Sequence, residues 1–544
     1  MYEWSRLGWK ISKRAVIALT VIAWSALIAP KMEAADPLTF FYEFKPLVYS
    51  SDEWFVKQDT IIASTDGQHA VGIISQLHHP RGYMNLMQDG EIVLIDTLQP
   101  TIAYAPKTND LLQISGRHGR WIQTYKPIGR NAWVRRPMSN PIFSDDGQHI
   151  AYIGEDARHQ TIVYDGKVGE PMEKIDANSI RLLSDGKGVA YCASFGPNWR
   201  LVINDKIDHD SVAIRNSLVT SKQNAQLAYL AIRDGKWHII KTNPENNQSL
   251  VSKGYMIARQ PIHISDDGST TAVWVQDKPG TWSLAINGKV EPIYDTFNPG
   301  PITINHDGSK IVTTSKRDDN QWDLLVNGKL SLTCEAIGQN SLQFTSSNKL
   351  IAGVMWHGLW YVYLDGNLGE PATALQPNVF NEHRNGKDFV YAARDSRGQW
   401  RLIKLDLQKP KHTPWQSRPY DAIKANSVVV SSNSNTIAFV ALFDGMECLI
   451  RNDQILAMRK KVSLPSLSPD GKHVAVVASK SDKFELLIDG IPTGEPFLNP
   501  IAPGIPYWDS SENTHLVVEQ RPHHFSSLHV SIQPTQTDTQ FGGK

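Results

Sequence analysis

The chain has 544 residues, of which 41% are apolar and 20% charged, so it can build packed cores and is not a disordered polymer. Lys+Arg and Asp+Glu both number 55, which excludes a protein that binds nucleic acid through bulk positive charge. Three cysteines exclude a disulfide framework, and 37 Gly, 31 Pro and 16 Trp suit a β-rich, turn-rich chain.

The N-terminus has the layout of an export signal. Arg6, Lys10, Lys13 and Arg14 precede the uncharged run Ala15–Ala29, then come Pro30 and the small residues Ala34-Ala35. The run of 15 residues is short for a bilayer span of about 20. The expectation is a signal peptide over 1–35, with a retained N-terminal anchor as its rival because Glu33 or Met32 falls three residues before the cut. Either way the remainder is expected to be exported, periplasmic or extracellular. Removing 1–35 takes five bases and two acids, leaving 50 against 53, a nearly neutral chain.

After residue 35 the sequence repeats. FSDDGQHIAYI at 143–153, LSDGKGVAY at 183–191, ISDDGSTTAVWV at 264–275, INHDGSKIVTT at 304–314 and LSPDGKHVAVV at 467–477 share one pattern. Weaker copies lie at 62–74, 344–354, 383–393 and 431–441. The turn anchors Gly147, Gly186, Asn224, Gly268, Gly308, Asn348, Gly386, Ser434 and Gly471 recur every 37–48 residues. Gly67 and degenerate copies near Asn109 and Asn513 extend the series to about 12 units over 36–544.

A second feature keeps the same phase. An aromatic-led strand follows these turns by about 13–14 residues (12 at Trp360), led by Trp199, Trp237, Trp282, Trp322, Trp360, Trp400 and Phe484. Several of these strands end in Asn-Gly or Asp-Gly, as at Asn287-Gly288, Asn327-Gly328, Asp365-Gly366 and Asp489-Gly490. Such dipeptides suit a two-residue hairpin turn with positive φ at both positions. Each unit therefore reads as a four-stranded antiparallel meander of about 40 residues, the length of a β-propeller blade. One aromatic at one phase in unit after unit is what blade-to-blade packing requires, so these rings are expected in the cores.

The motif Ser468-Pro469-Asp470-Gly471-Lys472-His473-Val474-Ala475-Val476 resembles the TolB-type (WD-like) β-propeller repeat, and the resemblance covers roughly 36–544. It implies an all-β propeller with the first strand of each unit innermost. It implies little about activity, because the repeat serves binding proteins, scaffolds and non-catalytic domains of hydrolases. Propellers usually have four to eight blades, so two six-bladed rings are expected, 36–301 and 302–532, divided near Pro301 and followed by a polar tail at 533–544. Seven plus five is the rival division. The last unit appears one strand short, and 38–60 holds spare strand-like sequence. An N-terminal strand is therefore expected to complete a blade, either closing the first ring or reaching the last blade.

Linear catalytic signatures are missing from the sequence: there is no G-x-S-x-G, P-loop, dinucleotide fingerprint, H-E-x-x-H or C-x-x-C. The repeated Asp66, Asp146, Asp185, Asp267, Asp307 and Asp470 read as turn residues bonding their own backbone. Equivalent turns are expected to point apart along different blades, so these carboxylates are not read as an acid–base pair. His78, His79, His118, His159, His357, His523 and His524 fall in loops between second and third strands, with Trp356 and several arginines, and mark one polar face. Cys192, Cys334 and Cys448 lie in separate units and read as buried free thiols. No catalytic, metal or cofactor residue is assigned, and no cofactor is called for. The reading is an exported, non-catalytic propeller that binds or scaffolds an envelope protein, peptide or polymer. It involves no nucleic acid, and a membrane only through a retained N-terminal segment. The alternative is an exported propeller enzyme of glycosidase, lyase or lactonase type with its site in the central funnel.

Overall fold

The computed structural model describes residues 38–533, apart from 52–53, 58–59, 77–83, 106, 118–119, 126–128, 135, 157, 184–185, 187, 209–210, 245–247, 384–385 and 410–412. The expected signal segment and polar tail lie outside the described residues.

The described chain is a succession of antiparallel sheets, with a short 3-10 turn at Ala177–Ser179. Eleven sheets form. Ten hold four strand positions each, and one eight-stranded sheet carries the first two repeats, joined by the long strand Glu91–Tyr104. In seven sheets the first position is split into two short pieces that pair with the same second strand, as Ala422–Ile423 and Val429–Val430 do with Ile437–Phe443. The fold is the expected all-β propeller of four-stranded meanders. Units are numbered below by their sequence repeats.

The splitting has a local cause. Asn216, Asn340 and Asn426 take φ of 60°, 58° and 57°, which kinks the first strand out of the ladder. The next residue is serine, and its hydroxyl fills the gap. Ser217 Oγ donates to Ile214 O at 2.6 Å and accepts from Leu230 N at 3.0 Å. Ser341 and Ser427 repeat both bonds in their own units.

Neighbouring units pack face to face in chain order. Trp199, Trp237, Trp282, Trp322, Trp400 and Phe484 lie against these inter-unit clusters, as their recurrence at one phase predicts. The three cysteines are free and buried, and burial pushes each thiol up to about 11. The sixth and seventh units, on either side of Pro301, meet through Ala272, Trp274, Leu284, Ile302 and Ile311. This contact is of the same kind as the others.

The N-terminal strand reaches the last unit. Thr39–Tyr49 pairs antiparallel with His524–Gln533, from Thr39↔Gln533 to Tyr49↔His524. Phe40, Tyr42 and Phe44 pack against the eleventh and twelfth units. Beyond the bulge at Pro46, Leu47 and Val48 join Val56, Ala70, Ile74 and Met87 of the first unit with Val517 and Phe525 of the twelfth.

Candidate functional site

In each unit the Asp-Gly turn and the Asn/Asp-Gly turn lie at the same end of the meander, and the structure ties them together. In the first kind of turn Asp470 Oδ1 accepts from Ser468 Oγ at 2.7 Å and Lys472 N at 3.1 Å, while Ser468 Oγ accepts from His473 N at 3.0 Å. Asp66, Asp146 and Asp267 repeat this pattern, and Asp307 bonds Ser309 in its place. Asp185 lies outside the described residues. Burial opposes ionisation of Asp470, but these bonds and the Lys472 ammonium outweigh it and hold the carboxyl at about 2. The aspartates are committed to turn chemistry.

In the second turn both central residues have positive φ, as the dipeptides predict: 47° and 76° at Asn287-Gly288, 51° and 82° at Asp489-Gly490. The side-chain oxygen then caps the first N–H of the second strand. Asp89, Asp165, Asn204, Asn287, Asn327, Asp365, Asn452 and Asp489 all do this, at 2.8–3.1 Å. Three of these carboxylates also bind a histidine Nδ1: His69–Asp89 at 2.8 Å, His149–Asp165 at 2.6 Å and His473–Asp489 at 2.7 Å. Sequence reasoning missed these histidines, although each stands two residues after its turn glycine.

One expectation is corrected here. The turns do not simply point apart; neighbouring turns interlock. Lys222, Asp266 and His306, one from each of three consecutive units, are linked in a chain, Lys222 by an ion pair and His306 by a hydrogen bond to the same carboxylate. Thr65 and Asp66 bond Asn109 of the next unit. A blade is wedge-shaped, so its turn end meets the neighbour's turn even where the strand axes diverge.

The opposite rim carries the loops between second and third strands. Of the histidines predicted there, His78, His79 and His118 lie outside the described residues. His357 and His523 take φ of 50° and 59° as hairpin-turn residues, and His159 and His524 are exposed. Apart from the adjacent His523 and His524 they sit in separate units, and the four do not assemble one site. Among the described residues no group of three His, Cys, Asp or Glu side chains is placed to hold a metal ion. Single large apolar side chains are exposed toward this rim in several units: Phe297 is 72% exposed, and Met138, Met256, Ile257, Trp356 and Leu442 are also exposed. Phe297 borders a hollow of about 580 Å³ with Lys316, Arg317, Asp318 and Asp319.

A second hollow, about 610 Å³, lies between the first strands of the ninth to twelfth units. Asn378, Asn381, Glu382 and His383 come from the ninth, Asn426 and Val428–Val430 from the tenth, Pro465–Leu467 and Pro469 from the eleventh, and Pro506–Trp508 from the twelfth. Glu382 is already engaged: its two oxygens accept from Ser346 N and Ser346 Oγ, both at 2.6 Å. His383 Nε2 accepts from Val430 N at 2.9 Å, so that nitrogen holds a lone pair and the ring is uncharged in this arrangement. This geometry suits binding better than proton transfer.

No family model and no curated protein matches the sequence. The chain is similar to several solved structures, one of them a propeller. A Dos1 propeller is 13% identical over 72% of this chain and 90% of its own, with a TM-score of 0.29. A eukaryotic initiation factor is 11% identical over 68% and 97%, TM-score 0.34. Hsv2 of Kluyveromyces lactis is 11% identical over 50% and 97%, TM-score 0.21.

Proposed function

We propose that the chain is an exported, non-catalytic propeller of the TolB-type repeat class that scaffolds a protein partner on its hairpin rim. The observation that carries this reading is the exposed Phe297 on that rim. Phe297 stands 72% exposed beside Arg317, Asp318 and Asp319, the apolar centre and charged surround typical of a docking patch. The turn rim is committed to holding the fold. The basic and apolar N-terminal segment supports export. In-cell crosslinking of the tagged protein in its native envelope, with a photo-crosslinker at Phe297, tests the reading. A reproducible protein adduct, lost on Phe297→Asp, is the expected result. Turnover of a glycan or lactone by the purified protein, with no adduct, would replace it by the enzyme reading.

We propose further that the units form one closed cycle. Contacts run in chain order, and the last unit meets the first across the N-terminal strand. Two rings of six divided near Pro301 would instead need the sixth unit to meet the first and the seventh to meet the twelfth. Small-angle scattering separates them: one ring gives a single broad, hollow distance distribution, and two rings give two maxima.

A further inference from the structure

We propose that the hollow between the first strands of the ninth to twelfth units binds a neutral oligosaccharide. This is independent of the docking reading, because it concerns a different surface. Three side-chain amides line the hollow, Asn378, Asn381 and Asn426, and all three residues are exposed. Among the described residues none of these amides has a hydrogen-bond partner. Each offers two donors and an acceptor, the set that vicinal hydroxyls of a sugar can use. The Ser466 hydroxyl is buried in the same wall with no partner.

The Tyr507 side chain is the exposed aromatic of this wall, 42% accessible. A flat ring beside amides fits the apolar C–H face of a pyranose while its hydroxyls reach the amides. Charge argues for a neutral ligand. The one acid of the wall, Glu382, is engaged by Ser346, and His383 is uncharged where it accepts from Val430. A cationic or anionic ligand would therefore enter without a free counter-charge here. The first strands argue against an extended peptide. Pro465 and Pro506 lie on the wall and lack N–H groups, and the strand pieces Ser466–Leu467 and Tyr507–Trp508 are two residues long. A peptide adding to a sheet edge needs a run of main-chain donors that such pieces do not present. The volume, about 610 Å³, falls in the range of ligand sites.

Titration calorimetry of the intact protein with maltohexaose, cellohexaose and chitohexaose tests this, with hexagalacturonate as the charged control. The expected result is saturable binding of at least one neutral hexamer. It should weaken at least tenfold in Tyr507→Ala and Asn381→Ala and be largely kept in Tyr507→Phe, with unchanged circular dichroism in all three. No saturable heat from any neutral hexamer overturns the proposal, as does equal binding by Tyr507→Ala or preference for hexagalacturonate. A photo-crosslinker at Asn381 that captured a peptide would also overturn it and give the wall to an extended chain. The Phe297 adduct would be unaffected by any of these results, so the two readings fail separately.

Discussion

The two rims of this propeller are built from the same kinds of turn, yet they do opposite work. On the turn rim a Cβ on a glycine of the first turn would meet the neighbouring unit, though Gly366 of a second turn is open: at Gly67 it would lie 3.0 Å from the His515 backbone, at Gly308 within 2.3 Å of Thr270, and at Gly471 within 2.5 Å of Ser431. On the hairpin rim Gly196, Gly235, Gly280, Gly358 and Gly445 have nothing within 4 Å of such an atom. All of these glycines have positive φ. Identical local conformation thus serves assembly at one end and only chain reversal at the other. The hairpin rim is therefore the end at which a partner surface can vary without disturbing how units join.

The strongest way to break this comparison is to remove the strand that joins the last unit to the first. Deleting Thr39–Tyr49 removes the fourth strand of the last unit together with Leu47 and Val48, which are fully buried between the twelfth and first units. Each large apolar side chain is worth about 1.5–3 kcal/mol, so losing these two alone removes about 3–6 kcal/mol, a large part of the stability of an ordinary fold. The truncated chain is expected to aggregate or to lose cooperative melting, read by size exclusion and thermal circular dichroism. Native-like melting would mean that the other inter-unit contacts suffice.

A single methyl sharpens the contrast. Gly67→Ala combines φ of 68° with a contact against backbone that cannot swing away, and is expected to cost about 2–4 kcal/mol. Gly235→Ala has φ of 73° in open space and is expected to cost about 1 kcal/mol. Denaturant midpoints of the pair measure the difference, and equal costs would show that the turn rim is not an assembly surface.

Between the rims, His263 adds a pH dependence. It lies on the first strand of the sixth unit, and burial pushes its imidazole down to about 4. The folded state thus refuses a proton that the unfolded state accepts. The stability is complete above pH 6.5 and falls as pH drops from 6.5 toward 4, by about 2–3 kcal/mol. His263→Gln is expected to flatten that part of a stability–pH curve measured with denaturant.

The sequence made the propeller legible because its signals are local and repeated. Asp-Gly and Asn-Gly demand particular φ values, and an aromatic at one phase demands a neighbour at every step. Residues 38–60 could be read as a spare strand, but not their destination. Pairing Thr39 with Gln533 is a contact across the whole chain, and no local pattern encodes it. The His69, His149 and His473 clamps were readable in principle, since each follows its glycine by two residues. They were overshadowed by histidines in the hairpin loops, which share no site. The hollow of the ninth to twelfth units was not legible. Asn378, Asn426, Ser466 and Tyr507 come from four different repeats, and only the stacking of units brings them together.

The smallest effect tests how the turn rim is held. Asp470 accepts from Ser468 and Lys472 and sits beside the Lys472 ammonium, at 3.2 Å, on a partly solvated side chain. Its carboxyl is depressed to about 2, so its contribution is present above the ordinary carboxylate value and is lost as pH falls through 2. Because solvent screens the site, Asp470→Asn is expected to cost below about 1 kcal/mol at neutral pH. The loss should shrink further in acid, where the wild-type carboxyl is itself protonated. Equivalent bonds recur at Asp66, Asp146 and Asp267. Combining the four asparagine replacements should therefore give an additive loss, since the turns are far enough apart to share few partners. A loss well above the sum would mean that the interlocked turns act as one cooperative rim, and would extend the contrast with the hairpin end from packing to polar contacts.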